Sequence, residues 1–242
     1  MNRKFIHRSM QDELIDAPDV SPQVLVENLK ELDLLNRYTG GHAISTEGVR
    51  QLLKNKNRVY HIMDLGCGSG DWLLFIAKWA RKKGYRLKLT GIDKSEHAIR
   101  FLNKKCKNHP EISGVVGDYR GILKSESADI YHSALFCHHL SNVELIELFN
   151  HIGCVAKEGF VVNDLQRTAI AYYAAKFSTN ILRGSNLSKH DGPVSVLRGF
   201  KKREIAGLLQ KAGITKYNIY YRRFFRFLVV GLPIGNDQRF KI

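Results

Sequence analysis

From about residue 60 onward, short apolar runs alternate with segments that have helical periodicity. The first run, VYHIMDLG, ends in a glycine-rich turn, and an amphipathic helix follows from Asp71 to Lys83, just before Gly84. Further strands are expected at 87–93, 111–118, 128–136 and 159–164, with helices between them. Strands that alternate with helices of about 10–15 residues form βαβ units with right-handed crossovers, and such units build a parallel sheet.

The end of the chain has a different pattern. A helix is expected at 201–212, followed by Gly213 as its stop, and two runs rich in Tyr, Phe and Ile follow at about 215–222 and 226–231. Only a few residues separate these two runs, which indicates an antiparallel hairpin. The sequence therefore predicts an α/β fold with a doubly wound, Rossmann-like sheet of seven strands, mostly parallel, that ends in an antiparallel hairpin.

The length of 242 residues suits one domain. Ser21-Pro22 is typical of a helix start, and leucines at helical spacing predict a helix over 22–36, with a second helix at about 45–54. Residues 1–55 are therefore expected to form an N-terminal helical cap on a core at 56–242. The long segment at about 165–200 is expected to be an insertion that covers the substrate.

Positive charge is concentrated in the last third of the chain. The net charge is +15, and residues 167–242 contain 15 basic and 3 acidic residues. Such a field favours anionic partners, which include nucleic acid, an acidic carrier protein and an anionic membrane surface, although it also fits a basic protein that is merely kept soluble. The sequence has no apolar run of transmembrane length and no signal-peptide core at its start, so a cytoplasmic location is expected.

The four cysteines have no zinc-finger or CxxC spacing, which favours free thiols in a reducing compartment. Cys137-His138-His139 resembles a metal cluster at first sight. Adjacent residues at a strand end point in different directions, however, and no further ligands are evident. No metal is expected there.

The turn after the first strand contains glycines at 66, 68 and 70. Their spacing is G-x-G-x-G, and Asp71 stands where the dinucleotide-binding fingerprint has its last glycine. The turn is not a P-loop either, because no Gly-Lys-Ser/Thr follows. Carboxylates of Asp64 and Asp71 beside the turn would repel a pyrophosphate and would favour a ligand with positive charge.

The next two strand ends indicate what this ligand is. Asp93 ends the second strand, where a carboxylate can accept hydrogen bonds from a ribose diol. Gly117-Asp118 ends the third strand, where a carboxylate can bind the exocyclic amine of a base. A nucleoside with ribose, base and a cationic end that resembles an amino acid fits all three positions, and S-adenosylmethionine (SAM) is such a ligand.

Five segments in this order resemble the successive motifs of class I SAM-dependent methyltransferases: MDLGCGSGDW, GIDKS, VVGDY, ADIYHSALFCHHL and GFVVNDL. The resemblance covers about residues 60–232 and is closest to the small-molecule type found in ubiquinone and menaquinone biosynthesis. Segments outside the motifs, among them SKHDGPVSVLRGF, resemble a bacterial branch in which phenolic natural products or quinone-like compounds are the suspected substrates.

The resemblance implies a cofactor site, position by position. The glycine turn would approach the methionine part of SAM, Asp93 would hold the ribose, and Lys94 would lie beside the adenine. Asp118 and Tyr119 would contact the adenine, and the end of the fourth strand would lie beneath the sulfonium. The residues implied are Asp64, Gly66, Cys67, Gly68, Gly70, Asp93, Lys94, Gly117, Asp118, Tyr119, Ala134 and Phe136.

The fourth motif helps to choose the methyl acceptor. Ala134-Leu135-Phe136-Cys137 lacks the prolines with which nucleic-acid amino-methyltransferases grip a flipped base. Cys137 also lacks the proline that precedes the nucleophile of cytosine-C5 enzymes, so we interpret it as structural. Nucleic acid is therefore not the expected acceptor. Asn163-Asp164 suggests metal-assisted catechol methylation, but the matching carboxylate is missing from the fourth motif, which favours metal-free chemistry.

A small hydrophobic acceptor is expected to bind between the N-terminal helices and the insertion. The insertion contains Tyr172, Tyr173, Phe177, Leu182, His190 and Arg198. Apolar residues with one histidine suit a phenolic or enolic compound with a hydrophobic tail. The histidine would be the general base that takes the proton of the acceptor.

Three histidines are candidates for this base. His190 is favoured because Asp191 could orient its ring, although His190-Asp191-Gly-Pro also has the composition of a turn. His138 and His139 are the alternatives. Small-molecule O-methylation is the preferred function. The alternatives are C- or N-methylation of a small molecule, a nucleic-acid methyltransferase, and a SAM-binding module without catalysis.

Overall fold

A single seven-stranded sheet organises the part of the chain that the computed structural model describes, residues 3–17, 20–181 and 185–235. Its strands are β1 (Val59–Leu65), β2 (Arg86–Asp93), β3 (Ile112–Val116), β4 (Ile130–Ala134), β5 (Gly159–Leu165), β6 (Tyr217–Arg222) and β7 (Arg226–Gly231). The order across the sheet is β3-β2-β1-β4-β5-β7-β6. The first five strands are parallel, and β7 is antiparallel to both β5 and β6. The predicted fold class is confirmed.

Helices cover both faces of this sheet. They are α1 (Pro22–Thr39), α2 (Gly41–Leu52), α3 (Asp71–Lys83), α4 (Glu96–Lys105), α5 (Tyr119–Ser125), α6 (Asn142–Val155), α7 (Ala169–Ile181), α8 (Asn186–Arg198) and α9 (Lys202–Lys211). One apolar cluster joins the sheet to α6 and α9, and the other joins it to α2 and α3. Because the chain winds outward from β1 in one direction and from β4 in the other, the carboxyl ends of these two strands form a topological switch point.

Local signals set most of the element ends. Gly84 ends α3 in a left-handed conformation, and Ser141 with Glu144 forms the capping box that begins α6. The second helix begins at Gly41 rather than near residue 45, because Gly40, at φ +72°, both ends α1 and begins α2. The third strand is shorter than predicted, since Asp118 caps the short helix α5, which the sequence patterns did not indicate.

The insertion is built from α7, α8 and the residues between them. The interpretation of 190–193 as a turn is wrong, because these residues lie inside α8, with Pro193 in its interior. Asp191 does not close a turn. Its carboxylate accepts hydrogen bonds at 2.8 and 3.0 Å from the backbone N–H groups of Leu14 and Ile15. Leu182 lies outside the described residues.

An N-terminal segment, residues 3–17, crosses the carboxyl ends of β4 and β5. The Arg8 guanidinium donates hydrogen bonds to the carbonyls of His138 and Leu140, and Arg198 donates to the carbonyl of Gln11. Helix α2, by contrast, packs directly on the sheet, where Gly48 lies against side chains of β5 and β7. The division into a cap at 1–55 and a core at 56–242 stays a prediction. No described helix has the length and apolarity that crossing a membrane requires.

Candidate cofactor and acceptor site

A cavity of about 500 Å³ lies at the switch point, and its size is typical of a small-molecule site. The residues of the predicted cofactor site that line it are Asp64, Gly66, Cys67, Gly68, Asp93, Lys94, Gly117, Asp118, Tyr119, Ala134 and Phe136. Of the twelve predicted positions, Gly70 is therefore the one outside the lining, and it ends the turn at the start of α3. The structure thus brings the sequence motifs together at one place.

Asp93 holds the glycine-rich turn in its conformation. One oxygen of its carboxylate accepts a hydrogen bond at 2.9 Å from the backbone N–H of Gly68, and the other accepts one from Ser95. Each carboxylate oxygen retains a further lone pair for a ligand hydroxyl. Burial raises the pKa of Asp93 despite these hydrogen bonds. A ligand that donates two hydroxyl groups would offset this cost of burial.

The two carboxylates that flank the turn have partners within the protein. Asp64 is buried and bonds Nδ1 of His132 at 2.6 Å, and the His132 ring stacks on Trp72. Asp71 forms an ion pair with Lys105. The charge of Asp71 is therefore compensated, which weakens the expectation that it attracts a cationic ligand. Asp64, which lines the cavity, keeps that role as a prediction.

At the expected adenine end, the carboxylate of Asp118 is also engaged. It accepts hydrogen bonds from the backbone N–H and the guanidinium of Arg120, and these bonds lower its pKa. The Tyr119 ring meets the Phe136 ring edge to face, with centroids 5.5 Å apart. Lys94 pairs with Asp16 at 3.2 Å. The expected contacts of these residues with SAM stay predictions.

Much of the apolar lining of the cavity comes from the N-terminal segment and α1. It includes Ile15, Leu25, Leu29, Leu32 and Leu140, and Leu29 lies against the glycine-rich turn at Gly68. The insertion contributes Arg198 to the lining but not the aromatic residues that were expected there. Tyr173 and Phe177 are instead exposed on α7, and Tyr172 packs against Phe5.

The three candidate histidines have different positions. His139 lines the cavity, and Nδ1 of its ring bonds Asp16 at 2.6 Å. His138 is buried behind the cavity wall, where Nδ1 bonds Asp164 at 2.7 Å. His190 lies outside the cavity lining, with Nδ1 at 2.8 Å from Asp191. The expected Asp191 contact thus exists, but the structure does not bring His190 to the cavity.

Two buried carboxylates determine the pKa of His138. Burial alone would lower the pKa of His138, but the carboxylates of Asp164 and Glu13 raise it to about 9. Its neighbour Cys137 is buried beside Ser133, and burial raises the pKa of this thiol to about 12. A thiol that keeps its proton is a poor nucleophile, which supports the interpretation of Cys137 as structural.

Sequence reasoning missed two acidic residues of this site. Glu13 and Asp16 lie in the N-terminal segment, next to His138 and His139. More than 120 positions separate the two pairs in the chain, and no motif connects them. The expectation that His138 and His139 point in different directions is also incorrect, since their ring centroids are 4.3 Å apart and both approach Glu13.

Comparisons with known proteins agree with this geometry. Residues 62–159 match the model of a family described as a methyltransferase domain. No curated protein sequence is significantly similar to the chain. Among solved structures, a SAM-dependent methyltransferase from Aquifex aeolicus superposes with a TM-score of 0.60 at 17% identity, covering 88% of this chain and 98% of that one.

Two larger structures are similar as well. Human N-acetylserotonin methyltransferase in complex with SAM superposes with a TM-score of 0.58 at 14% identity. An O-methyltransferase family protein from Burkholderia thailandensis does so with a TM-score of 0.63 at 14% identity. This chain is covered to 88% in both cases but spans only 57% and 61% of their lengths. The expectation of a methyltransferase domain is confirmed for residues 62–159, and the fold and the SAM cofactor expected of a class I enzyme agree with it, whereas the closer similarity to ubiquinone and menaquinone enzymes stays a prediction.

Proposed function

We propose that this SAM-dependent methyltransferase transfers the methyl group to an oxygen atom of a small hydrophobic acceptor, a phenol or an enol. The observation that carries the proposal is one cavity whose lining combines the glycine-rich turn and Asp93 with apolar side chains of α1 and with His139, and we take the part beside His139 and Leu140 as its apolar acceptor end. An acceptor held by the apolar end would present its hydroxyl group between the sulfonium and His139.

In this reaction the acceptor oxygen attacks the methyl carbon while the bond from that carbon to sulfur breaks. The products are the methyl ether and S-adenosylhomocysteine, and the proton of the hydroxyl passes to Nε2 of His139. Asp16 at Nδ1 would orient the ring and stabilise the imidazolium that forms. The geometry therefore moves the proposed base from His190 to His139, with His138 too buried to contact an acceptor.

The proposal is tested by incubating the full chain with labelled SAM and a panel of alkylated phenols and enols. Transfer of label to oxygen, located by mass spectrometry and NMR, is the expected result. Label on carbon or nitrogen would favour the alternative small-molecule reactions. Tight SAM binding with no transfer to any compound of the panel or of a host extract would favour a binding module, and label in RNA or DNA would favour the nucleic-acid alternative.

Asp93→Ala is expected to weaken SAM affinity by about 1–3 kcal/mol, because the ribose hydroxyls lose a charged hydrogen-bond acceptor. Calorimetry with SAM and with S-adenosylhomocysteine measures the effect. Asp118→Ala provides the comparison, since its carboxylate is already engaged by Arg120 and its loss should cost less. Wild-type affinity in Asp93→Ala would show that the ribose lies elsewhere.

An exposed apolar face on α7 supports a second part of the proposal, docking of the enzyme on an anionic membrane surface. Ile170, Tyr173 and Phe177 are 71%, 58% and 68% exposed, and their spacing places them on one side of the helix. The strongly basic last third of the chain complements such a surface in charge. Together, the apolar face and the basic field match the two components of interfacial binding.

We expect the triple change Ile170→Ser, Tyr173→Ser and Phe177→Ser to reduce binding to vesicles that contain anionic phospholipid. Vesicle sedimentation at several salt concentrations measures the change, and binding should weaken with salt because exposed charges are screened. Val143→Ser is the control, since Val143 is 65% exposed on a different helix, α6. Unchanged vesicle binding by the triple variant would contradict docking through the apolar face of α7, and no vesicle binding by the wild-type chain would contradict membrane docking. If the chain binds an acidic carrier protein and does not bind vesicles, the carrier protein replaces the membrane as the proposed partner.

A further inference from the structure

Glu13, His138 and His139 bring three groups that can ligate a metal to one point beside the acceptor end of the cavity. One nitrogen or oxygen atom of each residue lies within 4.8 Å of the others. Nε2 of His138 lies 3.4 Å from Oε1 of Glu13, and Nε2 of His139 lies 3.9 Å from Oε2. Both imidazoles thus direct the same ring nitrogen at one carboxylate.

The opposite nitrogen of each ring is bound by a second carboxylate. Nδ1 of His138 lies 2.7 Å from Asp164, and Nδ1 of His139 lies 2.6 Å from Asp16. A carboxylate at Nδ1 holds a proton on that nitrogen, so Nε2 is the nitrogen that can bind a metal ion once it has released its own proton. Metal-binding histidines in proteins are almost always oriented by such a partner at the other ring nitrogen.

Within this cluster, Glu13 has one carboxylate oxygen that lacks a hydrogen-bond donor among the described residues. Its side chain is 4% exposed, and Oε1 accepts no hydrogen bond among the described residues. Arg198 approaches this oxygen only to 3.8 Å and donates its hydrogen bonds to backbone carbonyls. Oε1 faces Nε2 of His138 and Oε2 faces Nε2 of His139, and a buried carboxylate in this position needs a proton or a metal ion between it and the ring nitrogens.

We propose that Glu13, His138 and His139 bind one divalent transition-metal ion, with Zn²⁺ and Fe²⁺ as the ions that suit two imidazoles and a carboxylate. Bonds of about 2.0–2.1 Å place ligand atoms about 3.3 Å apart in a tetrahedral site. The distance from His138 Nε2 to Glu13 Oε1 already matches this value, and the three ligand atoms, all within 4.8 Å of one another, would approach further on binding the ion.

Such an ion would lie beside the cavity, because His139 lines it, while Glu13 and His138 are outside its lining. A hydroxyl oxygen that coordinates the ion would lose its proton to solvent more readily, since a bound cation stabilises the oxyanion. In the metal-loaded protein this effect would replace proton transfer to Nε2 of His139. The binding inference itself does not depend on the proposed methyl transfer.

Titration of the chelator-treated full chain with Co²⁺, without SAM or acceptor, tests the site. We expect visible d–d absorption that saturates at one ion per chain, and competition by Zn²⁺. Metal analysis of protein purified without chelator, under reducing conditions, should find bound Zn or Fe. Glu13→Gln and His139→Ala should weaken Co²⁺ affinity at least tenfold, and Asp16→Asn by about 10–100-fold.

His190→Ala is the matched control, because His190 also carries an aspartate at Nδ1 but lies outside the cluster. It should bind Co²⁺ as the wild-type chain does. Circular dichroism and SAM binding establish that each variant is folded, and Asp16→Asn carries the test if Glu13→Gln does not fold.

Two results would overturn the metal site. One is the absence of stoichiometric Co²⁺ absorption, and the other is wild-type Co²⁺ affinity in Glu13→Gln and Asp16→Asn. Either result would show that a proton, and not a metal ion, lies between Glu13 and the histidines. SAM binding and methyl transfer are measured separately, so the two proposals can fail independently.

Discussion

His139→Ala is expected to lower kcat by about 10²-fold or more while SAM affinity stays nearly unchanged. A phenol has a pKa near 10, so it is mostly protonated at neutral pH, and general-base assistance typically contributes 10²–10⁴-fold. His139 lines the cavity but is not among the predicted SAM contacts, although Asp16 joins it to Lys94. Single-turnover transfer from labelled SAM measures the rate, and calorimetry measures SAM binding.

The control for this prediction is His190→Ala. Both histidines hold an aspartate at Nδ1, but only His139 lines the cavity, so His190→Ala should retain the wild-type kcat. Loss of activity in His190→Ala with full activity in His139→Ala would restore His190 as the base. A parallel loss of SAM affinity in His139→Ala would show that this residue supports the cofactor site rather than the acceptor.

The sequence predicts the sheet well because its signals are local. Apolar runs of strand length, the caps at Gly84 and Ser141, and the aromatic hairpin near the end each depend on residues a few positions apart. The glycine-rich turn and Asp93 are likewise predictable, since parallel strands place their carboxyl ends at one edge. Fold and cofactor identity could therefore be inferred before any geometry was known.

The acceptor end was less predictable because it depends on contacts between distant segments. His139 contacts Asp16, which is 123 positions away in the chain, and the Asp191 carboxylate accepts hydrogen bonds from the backbone N–H groups of residues 14 and 15. Neither contact has a spacing that a sequence pattern could show. The Asp-Gly-Pro composition at 191–193 indicated a turn, but these residues lie inside α8. There the Asp191 carboxylate makes tertiary contacts, and Gly192 packs against Thr179.

Gly66→Ala is expected to weaken SAM affinity at least tenfold. Gly66 has φ +68°, and a Cβ atom at this position would overlap the ring of Phe136, which lines the cavity. The overlap involves the Phe136 Cβ and Cγ as well as the ring edge, so rotation of the ring alone does not relieve it. Phe136 must therefore move, and with it the surface expected beneath the sulfonium. Calorimetric titration with SAM measures the loss.

Gly84→Ala separates this effect from backbone strain. Gly84 has φ +75°, close to that of Gly66, but a Cβ atom there would have no neighbour within 4 Å. Both substitutions place alanine in the left-handed region, at a cost of roughly 1–2 kcal/mol, so both should lower the unfolding midpoint. Only Gly66→Ala should lose SAM affinity. Equal SAM affinities in the two variants would mean that Phe136 does not form part of the cofactor site, because moving its ring would then leave the bound ligand undisturbed.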